Sequence, residues 1–581
     1  MNSKLLAIHL GHDCSVTLVD KNDQLRIFEL ERFVKIRSAS FADIINYEVL
    51  TLNNKKEFLY YVKSQLKEEP KYVLHSYGSK DDVKLLMKVF DKSKFIWMGH
   101  HTSHCIGAYQ QSGFKDALVI SMDGGGVEFD HYGISDDPNG EEIGYCILQI
   151  KNKNVKVLST SATSKNPNTP DLTPGQYAAL SLIISEIEDK DGRKLNHFEG
   201  LFDPKRTYVG AVYQNRGAGK LMGMSAYGKV REQVVDSFKF NYKINPSNAH
   251  SPKFSMMMWY YFANVVLKDL VDIFQITDIK ELRPNCVSGQ NSFDLAATNQ
   301  HVFEELCFEI IKPYVDSCDM DVVFSGGSAL NVLFNQKLAK YLNEQNRKLF
   351  VSPTPGDEGL SYGHICSINK TIEEPFSVYS GFDILDRECI PEYYDRYKKE
   401  NKVVAMNVTK IVDLIKDGKI GATMIGYSEV GPRALGNRSI ICDPSIAEMK
   451  DTLNAKVKFR EWFRPFAPVC REEDKDKYFD DAFVSPHMTF SPYVKEEYRD
   501  RLPAITHVDG TARLQTVTRD QHELFYDILT ELDNRGHDAV ILNTSFNIKG
   551  KPILTTVEDA FYVLENTELD FLILEDYLFM K

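Results

Sequence analysis

The chain has 581 residues, 82 of them acidic and 69 basic, for a formal net charge of −13 at pH 7. Its 43% hydrophobic and 26% charged content is ordinary for a folded protein and excludes a disordered or fibrous chain. No apolar run reaches the roughly 18 residues of a membrane span, and so acidic a chain is a poor generic partner for nucleic-acid backbone or anionic lipid.

The first ten residues carry a single lysine, Lys4, and no small-residue cleavage site, so the expectation is a cytoplasmic protein. Ten scattered cysteines without a CxxC pair read as reduced thiols. Residues 5–8, 15–19 and 25–28 read as three short strands, the first two flanking the turn Gly11-His12-Asp13. Residues 117–122 form a further apolar strand that is expected to end at Asp123-Gly124-Gly125-Gly126. A third unit runs from strand 322–325 through Gly326-Gly327 into a helix expected over 328–343. Short buried-type strands alternating with helices predict an α/β fold. A polar stretch at 369–380 predicts a boundary between domains 1–370 and 371–581. The region 135–320 reads as loops and added helices on the first domain. Its aromatic run, Trp259 to Phe262, reads as core packing, with stacking on a ring as the alternative.

His100 and His104 are four residues apart, a spacing that places both imidazoles on one helix face. Asp123, at the expected strand end, and Asp357, in Pro355-Gly356-Asp357-Glu358-Gly359, can complete a site with open positions for a divalent transition metal such as iron or zinc. His101 replaces His100 if the helix starts one residue later. The turns around Gly11, Asp123 and Ser325-Gly326-Gly327-Ser328, with Gly217-Ala218-Gly219-Lys220-Leu221-Met222-Gly223, are small-residue loops of the kind that let backbone amides approach phosphate. The spacing is not that of a P-loop.

The C-terminal part concentrates arginine among turn residues, in Gly431-Pro432-Arg433-Ala434-Leu435-Gly436-Asn437-Arg438-Ser439, in Lys458-Phe459-Arg460-Glu461-Trp462-Phe463-Arg464-Pro465, and in Thr506-His507-Val508-Asp509-Gly510-Thr511-Ala512-Arg513. Leu542-Asn543-Thr544-Ser545-Phe546-Asn547 adds neutral donors. Guanidinium forks flanked by Gly and Pro suit bidentate recognition of phosphate or carboxylate.

At these strings the sequence resembles the O-carbamoyltransferase family that includes the nodulation protein NodU and the cephamycin and tobramycin tailoring enzymes. The resemblance covers most of the chain and is strongest in the C-terminal strings. It implies an N-terminal actin-like (ASKHA) domain that binds metal and a C-terminal YrdC-like α/β domain that forms carbamoyladenylate from carbamoyl phosphate and ATP. Transfer to a hydroxyl on a small molecule follows, with release of AMP. The acceptor is a sugar, a natural product or a hydroxymethylated nucleotide, and polymeric nucleic acid is disfavoured. Carried over by motif, His100, His104, Asp123 and Asp357 fall on the metal positions, with iron(II) expected and zinc or manganese as alternatives; Mg2+ accompanies ATP. Arg433, Arg438, Lys458, Arg464, Arg513, Asn543 and Ser545 fall on the carbamoyl-phosphate and ATP positions. Lys220, Gly223, Gly326, Gly327 and Asn331 fall near a nucleotide in the first domain, and His12 faces the transfer site as the candidate base. Glu128 lies one residue later than the family's Asp-Gly-x-Gly-Glu pattern, and Ser103 and Cys105 stand where alanines are common. Two other functions fit parts of the sequence, an actin-like small-molecule kinase or ATPase and a non-catalytic carbamoyl-phosphate or nucleotide sensor. A homodimer is among the open oligomeric states.

Overall fold

Apolar segments too short to fold as helices pair into three mixed sheets in a computed structural model. It describes residues 4–41, 50–128, 140–161, 177, 187–188, 194–195, 210–243, 289–368, 376–548 and 550–581. Trp259, Tyr260, Tyr261 and Phe262 and much of 135–320 lie outside these residues.

The first sheet contains β1 (Leu5–His9), β2 (Ser15–Val19), β3 (Leu25–Glu29), β4 (Tyr72–Ser76) and β5 (Lys94–Trp97) in the order β3-β2-β1-β4-β5. β1–β3 are antiparallel neighbours, and β4 and β5 continue in parallel from β1. The second sheet repeats this plan with β6 (Ala117–Glu128), β7 (Glu141–Lys151), β8 (Asn154–Thr160), β9 (Val322–Ser325) and β10 (Leu349–Val351), ordered β8-β7-β6-β9-β10. Its β6–β7 and β7–β8 pairs are antiparallel, and its β6–β9 and β9–β10 pairs are parallel. Two sheets of one order are the arrangement expected of an actin-like unit. All five residues of each of β1, β2 and β3 are buried, the pattern of strands covered on both faces.

The expected strand end at Asp123 is instead a bulge. The β6–β7 register jumps from Met122↔Tyr145 to Gly126↔Ile143, and β6 runs on to Glu128. Asp123, Gly124 and Gly125 therefore loop out of a continuing ladder, a device that re-aims a side chain. The helix expected from Ser328 begins with a single 3₁₀ turn, Gly327–Leu330, before the helix Val332–Asn343.

An eight-stranded mixed sheet occupies the place expected of the YrdC-like α/β unit. It holds β11 (Val403–Ala405), β12 (Gly421–Met424), β13 (Ser439–Cys442), β14 (Ala467–Arg471), β15 (Gln515–Val517), β16 (Val540–Ser545), β17 (Phe571–Leu574) and β18 (Tyr577–Met580). The order is β11-β18-β17-β12-β13-β16-β14-β15. Apolar packing crosses between the halves of the chain. Phe382 joins the core of the first sheet, and Phe463 and Phe490 join that of the second.

A buried polar grip accompanies this packing. Arg32, in the short helix α1 (Leu30–Val34), is 1% exposed. Its guanidinium donates to the carbonyls of Glu429 and Gly431 (2.7 Å to the latter) and lies 3.0 Å from Glu29 Oε1, which also accepts from the Gly431 amide at 2.8 Å. The following loop winds around one carboxylate oxygen, because Glu429 Oε1 accepts from the amides of Leu435, Asn437 and Arg438 at 2.7, 2.8 and 3.2 Å. A Cβ on Gly431 would sit 2.5 Å from the Pro353 carbonyl, so this loop also abuts the segment that carries Asp357.

His522 fixes the loop from behind. Its Nδ1 accepts from the Phe525 amide at 3.1 Å and caps the helix Glu523–Asn534, while Gly436, at φ +135°, leaves its ring the room a Cβ would fill. Burial pushes His522 down to about 4 from 6.5. A group held neutral in this way supports stability that is present above pH 6.5 and drains as pH falls toward 4. His522→Asn, which keeps a capping acceptor, is expected to lose about 2–3 kcal/mol less than wild type between pH 7.5 and 4.5 in denaturant titrations.

Candidate metal centre and cationic pocket

The helix His100–Ser112 places His100 and His104 on one face, and both are 3% exposed. The bulge in β6 turns Asp123 toward them, and the 3₁₀ turn Asp357–Gly359 brings in Asp357. One ligand atom from each of His100, His104, Asp123 and Asp357 lies within 4.8 Å of the other three. Asp357 Oδ1 is 3.6 Å from His100 Nε2 and 3.5 Å from His104 Nε2; Asp123 Oδ2 is 3.3 Å from His104 Nε2. None of the four nitrogens of His100 and His104, nor Asp357 Oδ1, makes a well-aligned hydrogen bond, although all are buried. Buried polar atoms without partners are rare, and a divalent cation would satisfy this set of two imidazoles and two carboxylates.

Neighbouring groups hold the donors in place. Asp123 accepts from the amides of Gly124 and Gly327 at 2.5 and 2.6 Å. Gly126 gives His100 its space, since a Cβ there would sit 2.1 Å from His100 Cγ. Glu128 is fully buried and receives the Thr102 amide and hydroxyl, both at 2.9 Å, at the N-terminus of the His helix. A carboxylate there suits the helix dipole, although burial pushes Glu128 up to about 7. His101 is excluded as a donor because its nitrogens are engaged, Nδ1 with Ser121 Oγ at 3.0 Å and Nε2 with the Ile143 carbonyl at 2.8 Å.

Two further imidazoles face Asp357 Oδ2, His9 and His12, each through Nε2 at 3.2 Å. His12 Nδ1 is 3.0 Å from Asp13. Burial acts to lower His12, but Asp357 and Asp13 outweigh it and push the ring up to about 10. Burial likewise opposes protonation of His104, and Asp123 and Asp357 raise it to about 10, whereas burial drives His100 down to about 4. His12 is 31% exposed and His9 is fully buried, so the cluster opens on the His12 side.

The second constellation is a crowd of cations. Lys220, Arg433, Lys458, Arg460, Arg464 and Arg513 are each held below their ordinary values, first by burial. Repulsion from Arg464 adds to this for all of them except Arg464 itself, and Arg433 falls to about 10. Arg37 repels five of the six. Glu461 bonds Lys220 at 2.6 Å and lies 3.5 Å from Arg464, and these two cations pull it down to about 2 against its burial. Lys458 donates to the Ser545 carbonyl at 2.6 Å, to Ser545 Oγ at 3.2 Å and to Asn547. Asn543 donates to Ala434 and Gln515, and its Oδ1 stays without a partner. Just before Lys458, residues Leu453–Val457 form a π-helix, and Phe459 takes φ +49°. Such irregularities concentrate at functional sites.

A family model described as "Carbamoyltransferase N-terminus" matches residues 51–366, and one described as "Carbamoyltransferase C-terminus" matches residues 412–581. The chain belongs to the carbamoyltransferase family. It is 29% identical over 504 residues to nodulation protein NolNO of Sinorhizobium fredii, covering 84% of this chain and 65% of that one. It is 30% identical over 351 residues to nodulation protein U of Azorhizobium caulinodans, covering 59% and 60%. The matches thus span slightly less than two thirds of these relatives' own lengths. Among solved structures, full-length HypF in its phosphate- and nucleotide-bound form is similar over 64% of this chain and 56% of that one, at 15% identity and a TM-score of 0.32.

In this carbamoyltransferase three of the four small-residue motifs, those of Gly11, Asp123 and Gly326-Gly327, gather at the His/Asp cluster, whereas the Lys220 motif lies against Glu461. Gly326 and Gly327 pack behind Asp123, where a Cβ on Gly326 would sit 2.2 Å from the Met122 carbonyl. Asn331 caps the helix Val332–Asn343 and exchanges hydrogen bonds with Gln300. The Lys220 motif is not a loop but lies in the helix Gly210–Ser225, whose Gly223 faces Phe463 and Pro465, so Lys220 and Gly223 join the arginine strings. Arg438 is fully buried and donates to the carbonyls of Ile425, Gly426 and Asn437. Sequence reasoning passed over His9, Arg37, Arg460 and Glu461. The string His9-Leu10-Gly11-His12 held a usable signal for His9, because a Cβ on Gly11 would strike its ring at 2.5 Å.

Gly126→Ala is expected to displace the His100 ring. Metal content after reconstitution, measured by mass spectrometry, should fall to a minor fraction of the wild-type value while the far-ultraviolet circular dichroism is retained.

Proposed function

We propose that this carbamoyltransferase uses carbamoyl phosphate and ATP to form carbamoyladenylate in the cationic pocket, and passes the carbamoyl group to a hydroxyl of a small-molecule acceptor beside the His/Asp cluster. One observation carries the reading. Lys220, Arg433, Lys458, Arg460 and Arg513 all feel the repulsion of Arg464, Arg37 repels five of these six cations, and Glu461 bonds Lys220 and lies 3.5 Å from Arg464. Crowding of this kind is unfavourable unless a polyanion neutralises it, and a triphosphate with carbamoyl phosphate is such a load.

In this reading Arg433, Arg464 and Arg513 hold the reacting phosphates and offset the charge that builds during adenylation. Lys458 fixes Ser545 and Asn547 at the pocket wall, with Asn543 Oδ1 left to accept from the carbamoyl amide. Arg438 works at one remove, by holding the loop that presents Arg433. Lys220 and Gly223 serve this pocket, and Gly326, Gly327 and Asn331 support the cluster from behind. The two sites adjoin through Glu358, which follows Asp357 and whose carboxyl lies within electrostatic range of Arg433. A short path between them limits hydrolysis of the activated carbamoyl group.

At the cluster, His100, His104, Asp123 and Asp357 would hold a divalent metal, iron(II) or alternatively zinc or manganese, which supplies Lewis-acid polarisation of a carbonyl or phosphate oxygen. His12, on the open side, takes the acceptor's hydroxyl proton. Asp357 is the largest of the charges that keep His12 protonated, so a cation sharing Asp357 frees the imidazole for this work. Mg2+ accompanies ATP. No described helix is long and apolar enough to cross a membrane.

Two variants separate the half-reactions. Arg464→Ala should lower AMP formation from ATP and carbamoyl phosphate by on the order of 10²–10³-fold, measured by chromatography of the nucleotides. Unaltered AMP release would remove Arg464 from the pocket. His104→Ala should still release pyrophosphate from ATP in the presence of carbamoyl phosphate, with AMP arising only as carbamoyladenylate hydrolyses, yet transfer no label from carbamoyl phosphate to a hydroxylated acceptor. ADP in place of AMP would instead identify a kinase.

A further inference from the structure

Behind the His/Asp cluster a chain of hydrogen bonds leads away from Asp357 into the core. His9 ends β1 and is in register with Ser76 at the end of β4, and His9 Nδ1 lies 2.9 Å from Ser76 Oγ. Ser76 Oγ is 2.7 Å from His364 Nε2, and His364 Nδ1 is 2.7 Å from Ser103 Oγ. Ser103 Oγ in turn donates to the Gly99 carbonyl at 2.6 Å. Ser76 is 3% exposed, and His9, His364 and Ser103 are fully buried. The link requires the His helix and the helix Leu360–Ile368 to touch. A Cβ on Gly363 would sit 2.1 Å from the Ser103 carbonyl, and one on Gly107 would sit 3.0 Å from Gly363 Cα.

The proton directions follow from the far end. Ser103 has one hydroxyl proton, and a carbonyl at 2.6 Å can only accept it. Ser103 oxygen therefore accepts from His364 Nδ1–H. Buried His364, held neutral, then offers Nε2 as acceptor for the Ser76 hydroxyl. Ser76 oxygen is left to accept from His9 Nδ1–H. His9 is thus fixed in ring orientation as its Nδ1–H tautomer, and its buried Nε2, which has no hydrogen-bond partner, turns a lone pair beside Asp357 Oδ2 at 3.2 Å, a contact that a cation between the two atoms would satisfy. With His9 and His12 both on Oδ2, Oδ1 is the oxygen turned toward His100 and His104.

We propose that Ser103 and His364 are positioning residues of the cation site, acting through Ser76 to hold His9 with its Nε2 lone pair turned into the site beside Asp357. This rests on the cation reading of the cluster. Groups that orient metal ligands from outside commonly change affinity by about 10–100-fold when removed.

The test is a titration of the full-length protein with Co2+ alone, followed by visible absorption and by calorimetry. Wild type should bind one Co2+ with a d–d band. Ser103→Ala and His364→Gln should each bind about tenfold more weakly or worse, with an altered band. In a His9→Asn background, Ser103→Ala should add nothing further, because the relay already stops at His9. Ser103→Ala removes one hydroxyl and tests the proposal even if His364→Gln fails to fold. Wild-type affinity and band in Ser103→Ala, or additive losses in the His9→Asn background, would overturn the relay. Absence of Co2+ binding by the wild type would overturn the cation reading and the relay with it.

Discussion

The geometry of both sites hangs on the buried grip between Arg32 and the loop that starts at Glu429. Its guanidinium is engaged by two carbonyls and the Glu29 carboxylate, and Glu29 reaches across to the Gly431 amide. Breaking such a pair by removing one partner costs about 3–5 kcal/mol, because the other charge stays buried. What the grip secures is mainly direction. The loop is wound on Glu429 by three amides and wedged against Pro353, so Arg433 at its crest and Asp357 a few residues past Pro353 share one frame. Two pieces of chemistry supplied by distant parts of the chain are thereby kept in a constant relation.

Within that frame the two sites have opposite electrostatic characters. The cluster gathers carboxylates and imidazoles whose lone pairs converge, and Asp357 stays ionised, well below its ordinary value, against its burial because His12, His100 and His104 surround it. The pocket gathers guanidinium groups that depress one another. Neither set is stable as a hydrophobic core would be. Both are held in place by backbone, through the β6 bulge and Gly126 at the cluster, and through the π-helix and the Glu429 loop at the pocket. Polar groups that repel need rigid surroundings of this kind if they are to stay together until a ligand arrives.

Much of this was legible in the sequence because it is local. The i, i+4 spacing placed His100 and His104 on one face, and the short apolar runs placed β1–β3 and β9 close to their observed limits. The arginine strings pointed to an anion pocket because each lies in one short segment. What was not legible depends on contacts between distant segments. Lys220 read as a phosphate loop, but the preceding residues wind into a helix that carries it to Glu461, more than two hundred residues away. Asp123 read as a strand end because glycines usually close strands, whereas here they build a bulge inside one. Arg438 looked like its neighbours Arg433 and Arg464 until burial assigned it to carbonyl oxygens. Arg37 has no motif of its own and is recognisable only by the charges around it.

Like charges packed around Glu461 also set a direction for traffic. A vacant pocket is the state of highest repulsion, so each anion that enters relieves it and each that leaves restores it. Entry is therefore downhill and exit uphill. The last negative fragment in such a chamber leaves against the full repulsion that its departure restores.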